Sequence, residues 1–467
     1  MQYLCYCNLL TFNALTSNLT MKKPLLFALA LCGTGVFAQE HFAGINTSGR
    51  TGILNASLNP AELVNLKTTY EINVIGISAN VANNKLSFGD LVGGDNFEDL
   101  IFSGTAPTNL RTDVEILGPA FAMKWDKWAF GISTAAKVRA DMVDVNPALG
   151  NAVTNGQIDN ISQAYNILAD YNQRAMATSW GEIGLTAARN IYEDDTHKLS
   201  AGVTFKLLFP GSYANMGASN FTGTITNNNG DVALTDAQAT LNFAYSGSLA
   251  NGFTDNDNYT KFFAGGLKGL AADIGFNYRF KDDEKPLGYF INAGLSVKNM
   301  GSLKFKDENN EDNLYNLNIS GNEALDLNQF EDVDDIEDIE DILLTSGYVT
   351  LQQNNRDFKI KLPAYLALYA DVNVYNNFYG TVYYQQKLNK DNNNDQIAIQ
   401  NILTVTPRYA TGFFEAYLPL SFNEVSDFTA GIGFRISGFY IGSGSILSAA
   451  IGDTNQADAY LGYRIGF

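Results

Sequence analysis

Residues 127–142 read KWAFGISTAAKVRADM. Trp128, Phe130, Ile132, Thr134, Ala136, Val138, Ala140 and Met142 fall on one face of an extended chain, and that face is mostly apolar. The alternate positions Lys127, Ala129, Gly131, Ser133, Ala135, Lys137, Arg139 and Asp141 are small or charged. A period of two marks a strand with one buried face. Soluble strands usually run about five or six residues. A tilted strand crossing a bilayer needs about nine to eleven or more. The neighbouring Trp125 and Trp128 stand at one end, where an interfacial girdle belongs.

The pattern recurs along the chain. Leu199, Ala201, Val203, Phe205 and Leu207 alternate with Lys198, Ser200, Gly202, Thr204 and Lys206. Leu270, Ala272, Ile274, Phe276, Tyr278 and Phe280 alternate with Gly269, Ala271, Asp273, Gly275, Asn277 and Arg279. Fourteen strands are expected, near 68–81, 112–125, 127–142, 179–190, 197–208, 263–281, 287–303, 358–375, 378–388, 397–408, 412–422, 427–436, 438–446 and 458–467. Links between them alternate short and long, with the longest at 82–111, 143–178, 209–262 and 304–357. Short turns on the periplasmic side and long loops outside are the rule for outer-membrane barrels. The expected fold class is therefore all-β: a single antiparallel transmembrane β-barrel of about 14 strands, spanning 68–467. The 209–262 link has room for its own hairpin turning at Asn227–Gly230, and 157–177 carries a loose helical stripe of Ile161, Ala164, Tyr165, Leu168 and Ala175.

Composition excludes other classes. Of the 467 residues 46% are hydrophobic, so the chain is not disordered. A formal charge of −19 leaves no basic surface for nucleic acid, so no nucleic-acid partner is expected. Met21-Lys22-Lys23, the apolar run to Leu31 and Val36-Phe37-Ala38 form a signal peptide, 21–38, cleaved near Ala38/Gln39. Residues 1–20 read as a mis-assigned upstream extension, and 39–67 as an N-terminal segment lying periplasmically or in the lumen as a plug. Cys5, Cys7 and Cys32 all precede Gln39, and losing Lys22 and Lys23 takes the net charge to −21. An outer-membrane location in a Gram-negative cell follows, with membrane lipid, the barrel-insertion machinery and envelope proteins as partners.

Chemistry-bearing residues are sparse. His41 and His197 read as solvated surface residues, and no nucleophile–base pair or metal spacing stands out. No enzyme activity and no cofactor are expected. Fourteen acids and no base lie between Asp307 and Asp341. Asp334, Asp335, Asp338 and Asp341 are weak metal candidates there, against a solvated loop, while Val333, Ile336, Ile339 and Leu343 suggest a short amphipathic helix. The lumen face collects Lys137, Arg139, Asp141, Lys206, Asp273, Arg279, Lys298, Asp371, Arg408, Glu415, Arg435 and Arg464, either as interior ion pairs or as the lining of a permeation path. The last strand alternates Tyr463, Ile465 and the terminal Phe467, which resembles the signal by which bacterial barrels are recognised for insertion.

Asn59-Pro60-Ala61 precedes the first strand, Leu362-Pro363 opens another, and Tyr417-Leu418-Pro419-Leu420-Ser421 and Tyr440 to Ser445 follow. This combination resembles a family of uncharacterised outer-membrane barrels typical of the Bacteroidetes. It is also distantly similar to the long-chain fatty-acid transporter superfamily. The second resemblance implies an N-terminal plug and a lateral or luminal route for apolar molecules. The expected function is a porin-like passive channel or transporter for a small or apolar molecule, with a scaffold barrel for secretion or surface assembly as the alternative.

Overall fold

The computed structural model describes residues 41–467 except 51, 94–99, 155–163, 229, 248–261, 264, 307–309, 331–332, 334–335 and 453. The extension 1–20 and the signal-like 21–38 lie outside the described residues. The strands are β1 (Tyr70–Asn83), β2 (Thr108–Leu117), β3 (Ala120–Trp125), β4 (Trp128–Val145), β5 (Tyr165–Glu193), β6 (His197–Asn228), β7 (Asp231–Ser246) and β8 (Gly269–Lys281). They continue as β9 (Tyr289–Phe305), β10 (Glu311–Asn318), β11 (Leu325–Asp326), β12 (Val349–Asn355), β13 (Phe358–Lys361), β14 (Tyr365–Tyr375) and β15 (Phe378–Lys387). The last are β16 (Ile402–Ala410), β17 (Phe414–Tyr417), β18 (Leu420–Asn423), β19 (Asp427–Ala430), β20 (Ile432–Ile436), β21 (Phe439–Ser443) and β22 (Gln456–Gly466).

Neighbouring strands of the sheet pair antiparallel, and β22 pairs with β1 from Glu71↔Gly466 to Ala82↔Gln456, so the sheet closes on itself. Closure leaves no open edge within the bilayer, where an unpaired peptide group has no water to bond. The ring has fourteen staves, because β2–β3, β13–β14, β17–β18 and β19–β20 are single staves interrupted once and β7, β10, β11 and β12 lie outside it. Three interruptions fall at Pro119, Pro363 and Pro419, which have no N–H to give the ladder.

The wall is apolar outside. Phe130, Ile132, Leu185, Val203, Phe205, Ile274, Phe276, Leu295, Leu368, Val405 and Ile441 are all large and exposed. That continuous face is what lipid covers. Short turns cluster at one end, where Asp126, Asn376 and Ser437 take positive φ as two-residue hairpins require. Exposed Tyr70, Trp125, Trp128, Tyr192, Tyr278, Tyr375, Phe378, Tyr409, Phe413 and Phe439 crowd that end as an aromatic girdle. Among the described residues no helix is long and apolar enough to cross a membrane.

At the opposite end β5 and β6 run on far past the ring. Their tops pair with each other, β6 pairs on with β7, and β10 and β12 complete an outer sheet. The hairpin turn at Asn227–Gly230 is there, with Gly230 N–H donating to Asn227 Oδ1 at 2.9 Å. The helical expectation for 157–177 is corrected: from Tyr165 on, the segment is strand β5. Ile167 and Ala169 are buried while Leu168, part of the supposed stripe, is 84% exposed. A helical stripe needs a neighbour three or four residues on, whereas β6 supplies ladder partners at every residue from 221 to 225.

The helix expected in the acidic stretch forms at Ile336–Ser346. Val333, Ile336, Ile339 and Leu343 pack on Phe243, Tyr315 and Leu317 of the outer sheet. Glu340 comes with them into the interior and accepts from Tyr245 at 3.1 Å, Asn313 at 2.7 Å and Tyr315. Burial and the Glu340 carboxylate push both tyrosine hydroxyls well above their ordinary range.

Candidate functional site

The lumen is filled from both ends. From the periplasmic end, residues 41–67 turn up into the ring before entering β1. The helix Ile53–Leu58 and the tight turn Pro60–Asn65 bury almost every residue. Asn59 caps that turn, its Oδ1 accepting from Ala61 N–H at 3.0 Å, while its amide donates to Phe276 O and the Tyr369 hydroxyl. Gly202 and Gly275 face each other across β6 and β8 and make the slot this backbone needs. A Cβ on Gly202 would stand 2.5 Å from the Pro60 carbonyl carbon, and one on Gly275 would collide with Asn59 Oδ1. Asn59-Pro60-Ala61 is thus the point where the segment keys into the wall.

Glu62 is the electrostatic anchor. Its carboxylate accepts from Tyr369 at 2.6 Å, Asn65 at 2.7 Å, Asn292 at 2.8 Å, Asn277 at 2.9 Å and Arg279 at 3.0 Å. Burial pushes its carboxyl up, but Arg279 and the bonds from Tyr369, Asn65 and Asn292 outweigh that and hold it below its ordinary value. Further along, Phe42 sits edge-on to Tyr440 and Tyr460 at 6.0 and 5.8 Å in an aromatic nest inside the barrel.

From the outer end, the link 388–401 folds inward, and Ile397 and Ala398 are fully buried. Arg174 reaches its carbonyls at Asp391, Asn393 and Gln396, the Tyr213 hydroxyl donates to Asn394 O at 2.8 Å, and Arg139 donates to Ala398 O at 2.9 Å. A run rich in Asn, Asp and Gln supplies its own turns and lets donors on the wall satisfy its backbone.

Between the two lids lies a chamber of about 100 Å³, lined by His41, Asn46, Arg111, Asp113, Glu115, Arg139, Asp141 and Gln400 among others. A second, of about 90 Å³, adjoins Glu182, Lys206, Asp273 and Lys298.

The twelve charged residues read from the sequence all lie on strands with their charges turned inward, each beside an opposite charge. Lys137 meets Glu115 at 3.3 Å, Arg139 meets Asp113 at 2.8 Å, and Asp141 approaches Arg111 at 4.0 Å. Asp273 joins Lys298 at 2.6 Å and Lys206 at 3.1 Å, with Glu182 at 3.6 Å from Lys206. Arg279 meets Glu62 at 3.0 Å, Arg408 meets Asp371 at 3.1 Å, Arg435 meets Glu415, and Arg464 meets Glu71 at 2.8 Å. Sequence reasoning missed the partners Glu62, Glu71, Arg111, Asp113, Glu115 and Glu182. The signal for three of them was present, since Arg111, Asp113 and Glu115 alternate along one strand face and oppose Asp141, Arg139 and Lys137 in register.

His41 is also corrected. It is not a solvated tail residue: its ring bonds Ser78 Oγ at 2.9 Å and Asp113 Oδ1 at 2.8 Å inside the lumen. The local sequence gives no hint, because both partners come from the wall. His197 lies at the periplasmic rim, bonded to the Tyr278 hydroxyl at 2.8 Å. Asp334 and Asp335 lie outside the described residues, and Asp338 and Asp341 sit on the outer helix. Among the described residues no group of three or more His, Cys, Asp or Glu is placed to hold a metal ion. Tyr463, Ile465 and Phe467 point outward at the periplasmic end, with Phe467 against Tyr70 at 5.9 Å.

Residues 60–444 match the model of a family of unknown function, DUF5723. The chain belongs to that family. No curated protein matches the DUF5723 chain. Solved structures similar to it include a deltaS2 mutant of the TodX monoaromatic hydrocarbon channel, at 10% identity and a TM-score of 0.42, covering 89% of this chain and 95% of that one. The Pseudomonas putida toluene transporter TodX is 11% identical with a TM-score of 0.36, covering 92% and 100%. The translocator domain of the autotransporter NalP from Neisseria meningitidis is 7% identical with a TM-score of 0.28, covering 85% and 89%. The ring assigned to the DUF5723 chain rests on its own strand pairings.

Proposed function

We propose that this protein is an outer-membrane channel for a small polar solute, exported by the signal peptide ending near Ala38, and shut at rest by two lids. The observation that carries the reading is the charged chamber lying between the segment 41–67 and the infolded link 388–401. A wall meant only to be sealed needs no buried ionic interior, since apolar packing of similar volume is as stable or more so. Charges retained around an interior space suit a guest that is itself polar. An apolar cargo would have to displace ion pairs and gain nothing from them. The terminal Tyr463, Ile465 and Phe467 would serve recognition by the insertion machinery.

The test is conductance in planar bilayers and solute-driven swelling of liposomes. The full chain is compared with one whose residues 391–400 are replaced by a short Gly-Ser turn. The expected result is rare, brief openings for the full chain and sustained conductance for the shortened one. Silence from both, with the barrel folded, refutes the channel.

The outer sheet of β5, β6, β7, β10 and β12 supports the alternative reading of a docking platform. It stands clear of the ring, and every residue of β12 from Thr350 to Asn354 is exposed. A crosslinking search on intact cells that recovers no reproducible partner through this sheet removes that alternative.

A further inference from the structure

We infer that the larger chamber is a binding site for a small zwitterion, of the size of glycine or β-alanine; this rests on the reading of the lumen as a solute compartment and names its solute class. The argument begins with a ladder of charges. Arg111, Asp113 and Glu115 on β2 stand in register with Asp141, Arg139 and Lys137 on β4. Two rungs are closed, Arg139 to Asp113 at 2.8 Å and Lys137 to Glu115 at 3.3 Å. The outermost rung is open, with Arg111 Nε 4.0 Å from Asp141 Oδ1. The Arg111 guanidinium is drawn away instead, to Met142 O at 2.6 Å and to Asp391 of the infolded link at 3.4 Å.

Residues around the open rung that line this one space carry unmatched buried polar atoms of both kinds. Arg111 Nε and Arg139 Nε are buried donors with no hydrogen-bond partner among the described residues. Asp141 Oδ2 and Gln400 Oε1 are buried acceptors in the same condition. Arg111, Asp141 and Gln400 are 5%, 4% and 6% exposed, and all four residues line the chamber. Buried polar atoms are almost always paired, so a set of four in one cavity describes the guest. The guest must offer acceptors to two guanidinium groups and donors to a carboxylate and an amide oxygen. A simple anion leaves Asp141 Oδ2 and Gln400 Oε1 unmatched, a simple cation leaves both Nε donors unmatched, and a hydrocarbon matches none of them. A carboxylate and an ammonium separated by one or two carbons match all four. The size agrees, since a cavity of about 150 Å³ admits benzene and this one is about 100 Å³.

The test is equilibrium dialysis of radiolabelled glycine, β-alanine, acetate and ethylammonium against the full barrel in detergent. Folding is verified by heat-modifiable gel mobility. Saturable binding of glycine or β-alanine is expected, at least tenfold tighter than acetate or ethylammonium. Asp141→Asn and, separately, Arg111→Gln are expected to weaken it tenfold or more in barrels that keep their folded mobility. Equal binding of all four probes, or zwitterion binding that neither variant changes, overturns the inference and leaves a chamber that holds water only. Should Asp141→Asn fail to fold, Gln400→Leu on the infolded link reads the same acceptor pair. A barrel that conducts but binds no zwitterion sinks this inference alone, and one that binds glycine but never conducts sinks the channel reading alone.

Discussion

Replacing Glu62 with Gln isolates what holds the inner lid. The carboxylate accepts five hydrogen bonds, three on Oε1 from Tyr369, Asn277 and Asn292 and two on Oε2 from Asn65 and Arg279. An amide keeps one oxygen, and its best orientation leaves that oxygen with the three. The new NH₂ then faces Asn65, whose own amide can flip to accept, and Arg279, which cannot. Stranding one buried charge by removing its partner costs about 3–5 kcal/mol. Arg279 keeps Asn292 at 2.8 Å and lies 5.1 Å over the Tyr289 ring, so the lower end applies. About 3 kcal/mol raises the undocked population of the segment roughly 100-fold, at 1.4 kcal/mol per decade. The assay uses a cysteine introduced at the buried Ala56, since the described residues contain none. Its alkylation by a bulky maleimide should accelerate about as much in Glu62→Gln, with the heat-modifiable mobility of the barrel unchanged. The docked carboxyl titrates below its ordinary value near 4.5. Its contribution to docking is therefore complete above that value and lost as the pH falls through the depressed one. Glu62→Gln should remove this acid dependence. Alkylation within about threefold of the parent, or collapse of the whole barrel with the segment, refutes the reasoning.

Gly275→Val should evict Asn59 from its slot and open the barrel like a deletion of the segment, at a cost of about 1–3 kcal/mol or more from overpacking, read as increased conductance. Phe42→Ala empties the nest beside Tyr440 and Tyr460 and should weaken docking of the segment's tip by up to about 3–5 kcal/mol, read as faster proteolysis confined to the first described residues. Glu340→Ala strands Tyr245, Asn313 and Tyr315 at about 1–3 kcal/mol per unpaired group, so proteases should clip 319–348 sooner while the ring keeps its mobility on gels. Lys67, in the link before β1, has its ammonium pushed down to about 8 by burial and by Arg279, Arg50, Lys198 and Lys124, so acylation at pH 8 should modify Lys67 several-fold faster than the exposed Lys304 or Lys359.

Much of the wall was legible because a pleated strand between lipid and lumen must alternate at every second residue, and no distant contact is needed to see it. Trp128 through Asp141 shows this, with outward Phe130 and Ile132 and inward Lys137, Arg139 and Asp141. The misread stretch 157–177 shows the limit. Its apolar residues are spaced ambiguously, and strand was chosen only because β6 runs alongside for a full ladder. The lids were legible only in part. The Asn59-Pro60-Ala61 element marked the inner one, but nothing near Glu62 announces Arg279, 217 residues away, or Tyr369 beyond it.

By itself, then, the sequence determined an all-β chain of long amphipathic strands, its girdle of aromatics and its short and long links. These are local consequences of strand geometry and of an apolar exterior. Only the tertiary structure decided that residues 41–67 and 388–401 both fold into the ring, that His41 bonds Asp113 there, and that the Arg111–Asp141 rung stays open. Those outcomes depend on which inward charges ring closure brings within 3 to 4 Å of one another. Alternation tells a residue to face inward, and closure of fourteen staves chooses what it finds there.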